Sequence, residues 1–155
     1  IFLSSNNVVA DKKTLGVLTI AGGLFFAVGH VIYVVWLLRF VEGFNYYTLF
    51  AVFGMPALFV VLSLLKVMKA GKITPLVTLY AAFLGTMLMG AINVYVFLSP
   101  EKIASLILAG GILFTTSDLV LAYYNFGHTE QTKVKYIYMT TYYAAQILFA
   151  LTLLY

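Results

Sequence analysis

The order of apolar and polar residues divides the sequence into long apolar runs separated by short polar breaks. A helix that crosses a bilayer needs about 20 apolar residues, and each run comes close to that length. The runs are too long and too uniformly apolar for the alternating strands of a membrane β-barrel. The pattern therefore predicts an all-α fold, a bundle of about five transmembrane helices at 14–38, 44–65, 76–98, 103–124 and 136–155.

The breaks contain the charged residues, glycines and prolines that separate membrane helices. Proline suits the first turn of a helix, so Pro75 indicates the start of the third helix. Pro56 lies inside the second run and predicts a kink there. Ser99 or Pro100 is expected near the cap of the fourth helix. The breaks fall at 39–43, 66–72, 99–102 and 125–135, and the last is predicted to be a polar loop.

Composition supports a membrane protein. Of the 155 residues, 63% are hydrophobic and 9% are charged, whereas a soluble domain carries roughly 25% charged residues. The chain contains no cysteine, which excludes disulfides and thiol chemistry within it. We interpret residues 1–155 as a single transmembrane helical domain. Because the sequence starts with Ile1 inside a short apolar stretch, we expect further N-terminal helices in the full protein.

Basic residues are distributed unevenly between the two sides of the predicted bundle. One side carries only Arg39 and Lys102, while the other carries Lys12, Lys13, Lys66, Lys69, Lys72, Lys133 and Lys135. The positive-inside rule then predicts that the lysine-rich breaks face the cytoplasm. This predicts a multi-pass protein of a bacterial inner membrane or of the endoplasmic reticulum. The net charge of +4 is explained by membrane orientation and does not indicate nucleic-acid binding.

Asp118 is the one acidic residue within an apolar run. An ionised carboxylate near the bilayer centre costs about 2.5–3.5 kcal/mol on insertion scales, so it pairs, faces a wet cavity or takes up a proton. It lies six residues, or about 9 Å, from the predicted cytoplasmic end of its helix. Ser117 precedes it. We favour a functional role for Asp118, and a structural hydrogen bond between helices is the alternative.

Other polar residues inside the runs are further candidates. His30, which shares a helix face with Tyr33, shuttles protons, binds a head group or ties helices together. Counted from residue 14, His30 lies about 24 Å along its helix and thus far from Asp118 in depth, so either the helix starts later than residue 14 or His30 does not contact Asp118. A polar strip facing Asp118, or simple hydrogen bonding between helices, explains Tyr142, Tyr143 and Gln146. For Asn93, hydrogen bonding between helices is favoured over a role in a site.

Several familiar chemistries have no signature in this sequence. No glycine-rich phosphate loop precedes a charged helix, and neither HExxH nor GxSxG occurs. His30 and His128 are the two histidines, so an all-histidine metal site is excluded. We expect neither a metal nor an organic cofactor.

Four segments resemble motifs of the YhhN family of membrane proteins, which includes the lysoplasmalogenases. The sequence GGILFTTSD at 110–118 is similar to the family's G-x-LF-x-x-SD, and TTYYAAQ at 140–146 is similar to its TYY-x-AQ. The sequence FAVGHVIY at 26–33 is similar to its F-x-x-GH-x-x-Y. Pro75, Tyr80 and Met87 match the spacing of a fourth segment. The motifs occur in the family's order and span almost the whole chain.

The resemblance implies a particular reaction. It implies that lysoplasmalogen, a lipid within the bilayer, is hydrolysed at its vinyl ether bond to a fatty aldehyde and a glycerophospho-head-group compound. It also implies about eight helices and an upstream Gly-Asp motif, which would fall immediately before Ile1. The Asp of that motif would act together with Asp118 as a pair of carboxyls sharing one proton. Ser117, Asn93, Tyr143 and Gln146 would then orient the carboxyl or the attacking water, with support from His30, Tyr33, Tyr80 and Tyr142.

A second function class stays open at this point. The bundle is alternatively a non-catalytic lipid-binding or transport protein, in which Asp118 couples protons or holds helices together. Release of aldehyde from lysoplasmalogen distinguishes the enzyme from the carrier.

Overall fold

The fold of this chain is a bundle of α-helices. The computed structural model describes residues 12–37, 47–98, 101–127 and 132–155, with side chains at 21–37, 50, 53–98, 101–127 and 132–155. Within these ranges there is no strand, and the helices are α1 Lys12–Leu37, α2 Tyr47–Leu64, α3 Thr74–Leu98, α4 Lys102–Phe126 and α5 Thr132–Leu151. Short 3-10 turns, Gly71–Ile73 and Thr152–Leu154, precede α3 and follow α5. The predicted all-α bundle of five helices is confirmed.

The predicted polar loop at 125–135 is too long. Helix α4 continues to Phe126 and α5 begins at Thr132, so both ends of that segment are helical. Hydropathy indicates where a chain leaves the hydrocarbon, whereas a helix continues for as long as its backbone groups stay hydrogen-bonded. The last turn of α4 is closed by Gly127, whose N–H donates to the carbonyl of Tyr123 at 2.8 Å.

The other predicted breaks agree in part with the helix ends. Pro75 lies in the first turn of α3, as predicted, and Pro56 lies inside α2. The N-cap of α4 is Glu101. The break at 39–43 and the residues 99–100 lie outside the described part of the chain.

Length and surface composition both suit a bilayer. Among the residues that the structure describes, three helical segments are long and apolar enough to cross a membrane, namely Gly71–Leu98, Lys102–Phe126 and Thr132–Leu154. Shorter apolar segments, Ala21–Leu37 and Phe53–Leu64, lie in α1 and α2. Large apolar side chains cover the outside of the bundle, and Phe25 and Phe50 are 79% and 75% exposed. Such a surface is unfavourable in water but stable against lipid.

Helix α3 lies at the centre of the bundle. It contacts α1, α2 and α4, and α4 in turn contacts α5. Small residues allow the central helices to approach closely, because a Cβ on Gly111 of α4 would lie 2.8 Å from the Cβ of Ala91 on α3. The main core joins α1, α3, α4 and α5 and includes Leu84, Met87, Val94, Ile107, Phe114 and Phe149.

A second, smaller core lies at the end of the bundle where α2 leads into α3. It is formed by Phe59, Met68 and Ala81, with Ala122 and Phe126 of α4 against them. This core joins the connection between α2 and α3 to the end of α4. The boundary between the two cores brings Tyr80 of α3 and Asp118 of α4 together.

Candidate active site

Asp118 lies inside the bundle, about two turns before the end of α4. The residue is 4% exposed, and its position is eight residues, or about 12 Å, from Phe126 along the helix. The hydroxyl of Tyr80 on α3 donates a hydrogen bond to Oδ2 of Asp118. The carboxyl is therefore held by a side chain from the neighbouring helix.

His30 of α1 lies beside the same carboxyl oxygen. Its Nε2 is 3.8 Å from Oδ2 of Asp118, and the residue is 1% exposed. Its Nδ1 is 2.7 Å from the carbonyl oxygen of Phe26. Because a carbonyl oxygen only accepts, Nδ1 carries the hydrogen of this bond. Nε2 makes no hydrogen bond to the described residues, so it is the nitrogen available for proton exchange near Asp118.

The predicted depth separation of His30 and Asp118 is wrong. Helix α1 begins 18 residues before His30, about 27 Å, whereas α3 begins six residues before Tyr80, about 9 Å. The rings of His30 and Tyr80 are nevertheless 5.1 Å apart. The sequence count measured position along α1 rather than position in the bundle.

Aromatic rings surround the imidazole of His30. Its ring meets Tyr80 and Phe114 edge to face, with centroids 5.1 and 5.2 Å apart. Phe114 lies one turn before Asp118 on α4 and also contacts the rings of Tyr33 and Tyr142, at 6.2 and 5.7 Å. Edge-to-face pairs favour particular ring orientations. Together with the bond to Phe26, they hold His30 in one position.

Two further predicted residues, Ser117 and Tyr33, form hydrogen bonds near the site but not to the carboxyl of Asp118. Ser117 donates from Oγ to the carbonyl oxygen of Tyr138 at 2.7 Å, which joins α4 to α5. The hydroxyl of Tyr33 donates to Oε1 of Gln146 at 3.1 Å, which joins α1 to α5. Both bonds connect helices around the site, and neither is made to Asp118.

Of the remaining predicted residues, Tyr142 lies close enough to interact electrostatically with Asp118, whereas Tyr143 and Asn93 lie elsewhere. The ring of Tyr142 packs against Phe114, whereas Tyr143 is 47% exposed on the outside of α5. Asn93 follows Tyr80 by 13 residues on α3, which places it about 20 Å along the helix. The predicted polar strip is therefore divided: Gln146 pairs with Tyr33, and Tyr143 faces outward.

Sequence reasoning did not single out two groups that shape this site. The carbonyl of Phe26 determines which nitrogen of His30 is protonated, and the ring of Phe114 orients the imidazole. Phe26 and Phe114 both belong to segments with recognisable motifs, which is the one sequence signal that would have indicated them.

An apolar cleft between α2, α3 and α4 reaches Asp118. Its cavity volume is about 30 Å³, and its two polar lining residues are Tyr80 and Asp118. Leu58 of α2 and Leu119 of α4 line it and are 44% and 36% exposed. The cleft therefore opens on the lipid-facing surface. Its lining is mostly apolar and suits an apolar group rather than a polar ligand.

The described part of the chain contains no group of three or more His, Cys, Asp or Glu side chains that could hold a metal ion. The arrangement offers one carboxyl, one imidazole and one phenol, a set suited to proton transfer.

Comparison with known proteins gives one match. The sequence model of the YhhN family matches residues 9–153, which is nearly the whole chain. Searches of curated proteins and of solved structures found no match.

Proposed function

The chain belongs to the YhhN family, and we propose that it is a membrane-embedded hydrolase that cleaves the vinyl ether bond of lysoplasmalogen. The products are a fatty aldehyde and a glycerophospho-head-group compound. The observation that carries the proposal is the buried carboxyl of Asp118, hydrogen-bonded to Tyr80 on the wall of an apolar cleft. A lipid chain in that cleft would bring its ether group to a proton donor shielded from water.

The first step is protonation of carbon. Asp118, as a neutral carboxylic acid, gives its proton to the alkene carbon that does not bear oxygen. The C=C electron pair forms the new C–H bond, and an oxocarbenium ion results. The carboxylate of Asp118, held by the Tyr80 hydroxyl, stabilises this cation. Charge stabilisation of this kind is strong where water is excluded.

The second step is attack by water on the former alkene carbon that is bonded to the ether oxygen. The water proton passes to Asp118, directly or through Nε2 of His30, which restores the acid. The hemiacetal that forms then transfers its hydroxyl proton to the ether oxygen and releases the aldehyde and the alcohol. The sum is one vinyl ether and one water converted to one aldehyde and one alcohol, so no cofactor is consumed. A second carboxyl upstream of Ile1, which the family resemblance implies, remains a prediction.

Aldehyde release from the purified protein tests the proposal. The protein in detergent is given a 1-alkenyl lysophosphatidylethanolamine, and fatty aldehyde is measured over time. Wild type is expected to release aldehyde, and Asp118→Asn is expected to release none. Glu101→Gln is the matched control, because it removes an exposed carboxyl at the opposite end of α4.

Each outcome has a distinct meaning. If wild type releases no aldehyde, the proposed hydrolase activity is wrong and a lipid-binding or transport protein is favoured. Full activity of Asp118→Asn would overturn the role of this carboxyl. Thermal unfolding of each variant distinguishes a loss of catalytic activity from a loss of the folded structure.

A further inference from the structure

The cleft beside Asp118 is too small for a lipid. Its volume of about 30 Å³ gives room for about two water molecules, and Asp118 itself is 4% exposed. Buried Met68 closes the cleft at the turn between α2 and α3, and Leu58 and Leu119 line its mouth on the lipid-facing surface. A hydrocarbon chain therefore reaches the carboxyl only if one wall of the cleft moves aside.

The seam between α2 and α4 is the weakest of the three helix contacts around the cleft. In the described part of the chain α2 packs extensively against α3, and α3 packs closely against α4, whereas α2 and α4 are not close neighbours. Tyr80 and Asp118 also join α3 to α4 by a hydrogen bond. Between α2 and α4, the rings of Phe59 and Phe126 meet edge to face with centroids 6.5 Å apart. Side chains thus close this seam, and it can open while α2 stays on α3.

Helix α2 has a weak point beside the seam. Pro56 lies inside α2, between Met55 and Leu58, which both line the cleft. Proline has no N–H, so one carbonyl of the preceding turn loses its helical hydrogen bond. Helices bend at such positions. Bending at Pro56 moves the α2 wall of the cleft without unwinding the helix on either side.

The turn that follows α2 is fastened to α4. The N–H of Lys69 donates to the carbonyl of Phe126 at 2.6 Å. This bond holds the closed end of the cleft in place. The seam is therefore expected to open nearer Pro56, at the mouth between Leu58 and Leu119.

We propose that α2 is a lateral gate, and that a lipid in the bilayer reaches Asp118 when α2 bends at Pro56 and separates from α4. The inference rests on the proposed function only in naming a lipid as the molecule that enters. Opening toward the bilayer admits a hydrocarbon chain without passage through water. Closure then excludes water from the acid while carbon is protonated.

A lipid-soluble carbodiimide tests the gate without turnover. Dicyclohexylcarbodiimide partitions into the bilayer, where a carboxylic acid adds across one of its C=N bonds. The acid proton goes to nitrogen, the carboxyl oxygen bonds to carbon, and the adduct rearranges to a stable N-acylurea. Peptide mass spectrometry of the protein in vesicles at acidic pH measures the rate at which Asp118 is labelled. Wild type is expected to be labelled at Asp118.

A reversible tie across the mouth tests whether labelling needs the gate to open. Because the chain contains no cysteine, Leu58→Cys/Leu119→Cys carries one pair of thiols, which a short reducible bis-thiosulfonate joins. The tie is expected to slow labelling of Asp118 about tenfold, because the reactive open state becomes rare. Reduction of the tie is expected to restore the rate. Pro56→Ala regains the helical N–H and is expected to slow labelling as well.

Two controls separate closure from other effects of the tie. Methyl methanethiosulfonate on the thiols of Leu58→Cys/Leu119→Cys adds bulk at the mouth without joining the helices, and it is expected to leave labelling unchanged. Tyr124→Cys/Tyr138→Cys takes the same tie between α4 and α5, where the two rings are 5.7 Å apart. This tied variant should be labelled like wild type.

Three results would overturn the gate. They are an unlabelled Asp118 in wild type, a tied Leu58→Cys/Leu119→Cys that reacts as fast as the reduced one, and a Pro56→Ala that reacts like wild type. Equal slowing by methyl methanethiosulfonate and by the tie would show a fixed narrow opening instead. Because labelling needs no turnover, a protein that passes these tests but releases no aldehyde keeps the gate and loses the hydrolase.

Discussion

Tyr80 of α3 and Asp118 of α4 are 38 residues apart in sequence, and the phenol donates directly to the carboxyl oxygen. The bond crosses the interface between two helices in the interior of the bundle, where an unpaired carboxyl would be costly. It also restricts the carboxyl to one orientation toward the apolar cleft. A pair of this kind serves stability and proton chemistry together, and the two contributions are separable by experiment.

Tyr80→Phe removes the donor and keeps the ring. We expect aldehyde release to fall at least about tenfold, because the carboxyl loses its positioning partner. We also expect a loss of about 1–3 kcal/mol of stability, since a buried acceptor is left without its bond. Aldehyde release and thermal unfolding are measured side by side.

The control for this variant is Tyr95→Phe, which removes a phenol that is 36% exposed on the same helix. It should change neither activity nor stability. Wild-type turnover in Tyr80→Phe would show that the bond to Asp118 is structural.

His30 has two nitrogens with different roles, and a substitution can separate them. His30→Asn keeps an N–H near the position of Nδ1, which bonds Phe26, and removes Nε2. We expect turnover to fall about a hundredfold with a small change in unfolding temperature, since a proton-transfer group contributes about 10²–10⁴-fold. His30→Ala should lose both activity and stability, because it also opens a cavity. If His30→Asn turns over like wild type, Nε2 takes no part in proton transfer.

The prediction of the helices succeeded because membrane helices have a simple requirement. Runs of about 20 apolar residues predict helical spans, because in lipid only helices and closed β-barrels satisfy their backbone hydrogen bonds and these runs are too long and too uniformly apolar for barrel strands. The same reasoning made the loop at 125–135 too long, since α4 continues to Phe126 and α5 already begins at Thr132. Boundaries of this kind depend on backbone bonding, which hydropathy does not report.

The site was predicted less completely, for a physical reason. Asp118 stands out because it is a charge in an apolar run, and Tyr80 was found through motif spacing. That His30 adjoins Asp118 depends on how far α1 is displaced along its axis relative to α3. Neither the spacing of apolar residues nor the composition of the sequence gives that displacement. The pairing of Tyr33 with Gln146 likewise depends on which helices are neighbours.

Gly111 is expected to be required for the approach of α3 and α4. A Cβ at this position would lie 2.8 Å from the Cβ of Ala91, so Gly111→Ala should lower stability by about 1–3 kcal/mol through overpacking. Ala91→Gly in the same chain should restore much of the loss, because it removes the opposing atom. Thermal unfolding of the two single variants and the double variant measures this coupling.

Gly54 of α2 supplies the control, because no atom lies within 4 Å of a Cβ built there. Gly54→Ala should leave stability unchanged or raise it, as alanine favours helix. A loss in Gly54→Ala equal to that in Gly111→Ala would show that the effect is not one of contact with Ala91.

The orientation of the bundle is testable because the chain contains no cysteine. Lys69 and Lys102 are exposed residues before and after α3, so single variants Lys69→Cys and Lys102→Cys report on the two ends of one helix. The positive-inside rule predicts that Lys69→Cys reacts with a membrane-impermeant maleimide only after the membrane is opened, and that Lys102→Cys reacts in intact cells. The reverse pattern would show that the lysine-rich end faces outward. Reaction of both variants from the same side would instead show that α3 does not cross the membrane, which makes the pair a test of the span as well as of its direction.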